Sequence, residues 1–61
     1  MASSIEVRER LKRHLHSLLV IKKDNVGTTV LRLQDEINAV VSVMDQEDVA
    51  WVEKIVGVQA I

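Results

Sequence analysis

Residues 30–44, Val-Leu-Arg-Leu-Gln-Asp-Glu-Ile-Asn-Ala-Val-Val-Ser-Val-Met, carry an apolar repeat at Val30, Leu33, Ile37, Val40 and Met44. The steps alternate three and four residues, the spacing that lays side chains along one stripe of an α-helix. Arg32, Gln34, Asp35, Glu36, Asn38 and Ser42 fall between them, which gives the stripe a wet side. The spacing predicts a helix over about Thr29 to Met44.

Upstream of this stretch, Asp24-Asn25-Val26-Gly27 is the strongest breaker cluster. Asp and Asn favour turns through local hydrogen bonds, and glycine takes a positive φ at little cost. Thr28 or Thr29 then supplies a cap for the central helix. A rival reading pairs Leu18–Lys23 with Thr28–Leu33 as a β-hairpin, because both are rich in strand-forming residues. The helical repeat runs unbroken through Leu33 and favours the helix.

The first segment, about Ser4 to Lys23, reads as a second helix. Ser3 or Ser4 is its candidate cap, Glu6 suits the positive end of its dipole, and Lys22 and Lys23 suit the negative end. Val7, Leu11, Leu15, Leu18 and Ile21 are expected to share its inward face. His14 falls in the middle of that face and is expected to be a packed histidine with one hydrogen-bond partner. Downstream, Asp45 reads as the side-chain cap of a third helix, Gln46 to about Ile55 or Val56. Met44 and Val49 are placed for a hydrophobic staple.

The fold class that follows is all-α, a small antiparallel arrangement of a helical hairpin and a short third helix, with residues 1–61 as one domain. A chain of 61 residues buries little of its unfolded surface, so a monomer of this size is marginal. Small domains compensate with disulfides, a metal, very good packing or oligomerisation. Cysteine is absent and only His14 and His16 offer nitrogen ligands, which excludes a disulfide framework and a zinc site of the Cys/His type. With 48% of residues apolar, a homo-oligomer is expected. Val49, Trp51, Val52, Ile55, Val56 and Val58 spread over about half of the third helix, wider than the roughly 100° stripe that one core requires. Trp51, Val52, Ile55, Val56 and Val58 are therefore the candidate interface with a second copy or another protein, and Ile55→Asp is expected to break the assembly and unfold it. The alternative places this helix at the centre of a monomeric bundle.

Net charge is −1, which hides an asymmetry. Residues 1–25 hold six bases against three acids, and residues 26–61 hold two against six. Arg8, Lys12, His16 and Lys23 form a basic stripe, the candidate polyanion-binding residues. The reading preferred here has Arg8, Lys12 and Lys23 pairing with Asp35, Glu36, Asp48 or Glu53, in the same or a neighbouring chain. A helix-turn-helix made from the second and third helices would begin its second helix with Asp45-Gln46-Glu47-Asp48 and meet phosphates with carboxylates. If nucleic acid is bound, the first helix does it.

No nucleophile–base spacing or glycine-rich phosphate loop is legible, so no catalytic residue, cofactor or metal is assigned. No apolar run approaches the roughly 20 residues of a membrane span, and the first residues do not read as a secretory leader. The expectation is a cytoplasmic, non-enzymatic regulator or adaptor that binds itself and another protein. A dimeric nucleic-acid-binding regulator is the second reading, and a small-molecule pocket between subunits is the third. Size and style are similar to those of small all-helical bacterial or phage regulators, a resemblance of type that fixes no residue's role.

Overall fold

A computed structural model describes residues 5–24 and 28–61. It contains three helices, α1 (Ile5–Asp24), α2 (Thr28–Ser42) and α3 (Gln46–Val56), with no strand among the described residues. The described parts of Leu18–Lys23 and Thr28–Leu33 are helical throughout, so the hairpin reading falls. The caps expected at Ser3 or Ser4 and the turn at Asn25–Gly27 lie outside the described residues, as do the side chains of Thr28 and Thr29.

Helix α1 is the middle element. Both α2 and α3 pack along it, while α2 and α3 scarcely touch each other. Contacts fix the directions. Lys22 near the end of α1 reaches Gln34 near the start of α2, so that pair is antiparallel. Arg8 meets Asp48 and Lys23 meets Val56, so α3 runs parallel to α1. The array is elongated, 39 × 20 × 15 Å.

The core is aliphatic: Leu15, Leu18 and Leu19 of α1, Leu33 and Ile37 of α2, Val52 and Val56 of α3, and Ala60 beyond it. Val40, Val41, Met44, Val49 and Val58 pack against its edge. Of the stripe quoted at the outset, Leu33, Ile37, Val40 and Met44 thus face the core, and the side chain of Val30 lies outside the described residues. On α1 the inward face is rotated from expectation. Leu19, outside the expected set, is fully buried, while Val7 and Ile21 are each exposed by over two fifths. The cause is that α1 serves two neighbours, and the direction between them runs through Leu15 and Leu19. The same rotation carries His14 to the surface rather than into a packed site.

Helix α2 ends at Ser42, two residues short of Met44, and Asp45 begins α3 from an extended conformation, φ −71° and ψ 143°. Its carbonyl accepts from the amides of Asp48 and Val49 at 3.0 and 3.1 Å. Its carboxylate makes no cap bond and lies 3.9 Å from Arg8 Nε instead. The expected side-chain cap gives way to a partner that the sequence places 37 residues away.

Beyond α3 the chain reverses at Gly57, whose φ is +82° and whose amide donates to the Glu53 carbonyl at 2.8 Å. A Cβ built there meets nothing within 4 Å, so alanine would cost backbone strain alone, about 1 kcal/mol. The reversal carries Ala60 into the gap between α2 and α3. Its amide donates to Glu53 Oε2 at 2.7 Å and its carbonyl accepts from Gln34 Nε2 at 2.6 Å. Lys22 Nζ joins the same junction, donating to Gln34 Oε1 at 2.8 Å and to the Gln59 carbonyl at 3.0 Å. The tail thereby ties together two helices that otherwise barely meet.

Candidate functional site

Two features stand out along the seam between α1 and α3. The first is the ion pair Arg8–Asp48, made by two parallel bonds of 3.1 Å from Nε and Nη2 to the two carboxylate oxygens. This fork geometry is the stronger form of the Arg–carboxylate contact. Asp48 is a buried acid. The hydrogen bonds from Arg8 hold its carboxyl below the usual range against the opposing effect of burial, and the charges of Arg8 and then Lys12 add in the same sense. Arg8 is raised in turn, chiefly by its bond to Asp48.

The linkage has a definite sign. A carboxyl depressed in the folded state stabilises the fold above its unfolded pKa, and that stabilisation is lost as pH falls through the folded value. Without Arg8, the upward effect of burial on Asp48 is opposed by the charge of Lys12 and no longer by hydrogen bonds. An acid titration of thermal midpoints should show the native chain losing stability as pH falls through the Asp48 titration, whereas Arg8→Met, already less stable at neutral pH, should lose less over the same range, and Asp48→Asn should likewise flatten the loss. Superimposable profiles for Arg8→Met and the native chain would refute this.

The second feature is a shallow cleft of about 420 Å³ lined by Glu9, Lys12, Arg13, His16, Ser17 and Trp51. Lys12 Nζ lies 4.9 Å from the Trp51 ring centroid, within the range of a cation–π contact. Glu9 Oε2 holds the same ammonium at 2.7 Å. Trp51 and Ile55 are each 53% exposed. One turn past Trp51 on α3 stands Ile55, and one turn past His16 on α1 stands Val20, also exposed. Trp51 and Ile55 thus share one exposed stripe of α3, His16 and Val20 share one of α1, and the cleft brings the two stripes together at Trp51 and His16.

The expected interface residues therefore separate. Val52 and Val56 are buried in the chain's own core and Val58 packs at its edge, so the α3 residues left at the surface are Trp51 and Ile55. The breadth of apolar surface on α3 is used by α1 and by the returning tail, which a helical wheel does not display. Since Ile55 is half exposed, a charge there should leave the chain folded, contrary to the sequence expectation.

The basic stripe separates too. Arg8 is engaged by Asp48, and Lys23 donates to the Val56 carbonyl at 3.4 Å, at the negative end of α3. Lys12 and His16 line the cleft. Of the pairings expected from the charge split, Arg8–Asp48 is present, whereas Asp35 and Glu36 are exposed on α2 and Glu53 serves the Ala60 amide. The Gln34–Lys22–Ala60–Glu53 junction was not legible, since its members are ordinary polar residues joined across 38 positions. Among the described residues no group of three or more His, Cys, Asp or Glu could hold a metal ion, and no helix is long and apolar enough to cross a membrane.

Comparison with protein families, with curated proteins and with solved structures returns no match.

Proposed function

We propose that this chain is a cytoplasmic, non-enzymatic helical protein that acts by binding protein, its own copies first, through the exposed stripe of α3 formed by Trp51 and Ile55. The observation that carries the reading is the exposure of Trp51 beside Ile55. Tryptophan is enriched among residues that dominate binding energy, and water-facing surface of this size is costly to keep. A regulator or adaptor needs no chemistry beyond such a surface.

Sedimentation at micromolar concentration tests the reading. The native chain should associate, and Trp51→Ala and Ile55→Asp should each dissociate it while retaining helical circular dichroism. A native chain that stays monomeric, or variants that assemble as it does, would refute the proposal.

Nucleic-acid binding has one observation in its favour, the placing of Lys12, Arg13 and His16 around Trp51. Against it, Arg8 is committed to Asp48. Titration against duplex DNA at two salt concentrations separates the readings, because a polyanion interface weakens steeply with salt.

A further inference from the structure

The segment that follows α3 is held chiefly through its backbone. Glu53 Oε2 accepts from the Ala60 amide at 2.7 Å, and Gln34 Nε2 donates to the Ala60 carbonyl at 2.6 Å. Lys22 Nζ donates to the same carbonyl at 3.5 Å and to that of Gln59 at 3.0 Å. An acid therefore meets the N–H, while a base and an amide meet the carbonyls, each suited to the polarity of the peptide group. Lys22, Gln34 and Glu53 come from three different helices, and all three are half-buried.

Side-chain selection falls on one position. Ala60 is fully buried, whereas Gln59 and Ile61 on either side of it are exposed, and Val58 packs only at the edge of the core. Main-chain hydrogen bonds that supply affinity, with a pocket that selects one side chain, are the means by which proteins take up extended peptides. Both walls of the gap are anchored on α1, since α2 and α3 each pack along it and scarcely touch each other. A segment with so few buried apolar contacts belongs to the least stable part of a fold. Glu53 is two residues from both Trp51 and Ile55, so the gap lies on another side of α3 from their exposed stripe.

We propose that the gap between α2 and α3 is a peptide-binding site for an extended segment of a partner protein, with alanine or a residue of similar size at the anchoring position. Residues 58–61 occupy it as an internal competitor. Joined to α3 through Gly57, they meet the site at a high effective concentration, which a separate segment has to overcome. The proposal goes beyond the association assigned to Trp51 and does not depend on it.

The probe is the capped peptide acetyl-Gly-Val-Gln-Ala-Ile-amide, the sequence of residues 57–61. Two variants of the full chain empty the site by different routes, Ala60→Leu by size and Ala60→Asp by charge. Circular dichroism verifies their helices, and where only one variant keeps them, that one decides. The side-chain amide signals of Gln34 in heteronuclear NMR report occupancy, because this group bonds Ala60 directly. Added peptide should shift these signals to saturation in the variants, and a peptide with aspartate in place of its alanine should not. The native chain should show no shift over the same range, with its own segment in place. No saturable shift in either variant, equal shifts from the two peptides, or a native chain that responds as the variants do would each overturn the proposal. If unlabelled native chain shifts the variants' Gln34 signals as the peptide does, the occupant is the tail of a second copy and the partner segment is overturned.

Discussion

Leu19→Ala should abolish most of the chain's cooperative thermal transition. Leu19 is fully buried between the two flanking helices, and truncating such a leucine costs about 2–5 kcal/mol through lost transfer energy and the cavity left behind. Ordinary domains have about 0.05–0.15 kcal/mol of stability per residue, which for this length is about 3–9 kcal/mol in all. One core truncation therefore removes a large share of what holds the fold. Leu31→Ala is the matched control, because Leu31 is mostly in water, and its effect should stay within about 0.5 kcal/mol. Denaturant midpoints followed by circular dichroism read both. Equal effects from the two variants would show that α1 does not centre its packing on Leu15 and Leu19.

Ala60→Asp should open the molecule at the junction of α2 and α3. The methyl group of Ala60 is fully buried, and its backbone joins Glu53, Gln34 and Lys22. A carboxylate there would be desolvated close to the carboxylate of Glu53. Burying a polar group without a partner costs roughly 1–3 kcal/mol by mutational measures, and more where it also meets like charge. The tail is then expected to undock, since leaving the site costs less than burying the charge. Amide hydrogen exchange should report lost protection at Ala60, followed by weaker protection in α2. Ala60→Ser, small enough to fit with its hydroxyl near the same acceptors, should retain most of the protection. Unchanged exchange at Ala60 in the Asp variant would show that the tail does not brace the helices.

The two expectations differ in how far each could be foreseen. Leu15 and Leu18 were legible as inward residues, because a three-and-four repeat must lie on one side of a helix. Leu19 was not, because the repeat does not say how many neighbours share that side. His14 was misplaced for the same reason, lying on the mean apolar direction of α1 but outside the sector that its two neighbours cover. For the candidate site, Trp51 and Ile55 were legible as surplus apolar surface on α3. Their separation from Val52 and Val56 depended on where α1 and the tail came to rest.

What the sequence by itself determined is local. Periodicity set the helical class and approximate extent of all three segments, including the stripe from Leu33 to Met44 that faces the core. Asp45 marked the start of α3, and the split of charge put Asp48 among four candidate acids for the bases of α1, without saying which base it meets. Only the tertiary structure decided that α1 stands between its neighbours with α3 parallel to it. It also decided that Ala60 closes the gap left between them, and that Asp45 turns its carboxylate toward Arg8 instead of its own helix. The physical reason is that hydrogen-bonding period and capping act over four or five residues. The direction in which a helix spends its apolar face depends on partners tens of residues away, whose positions no local pattern encodes.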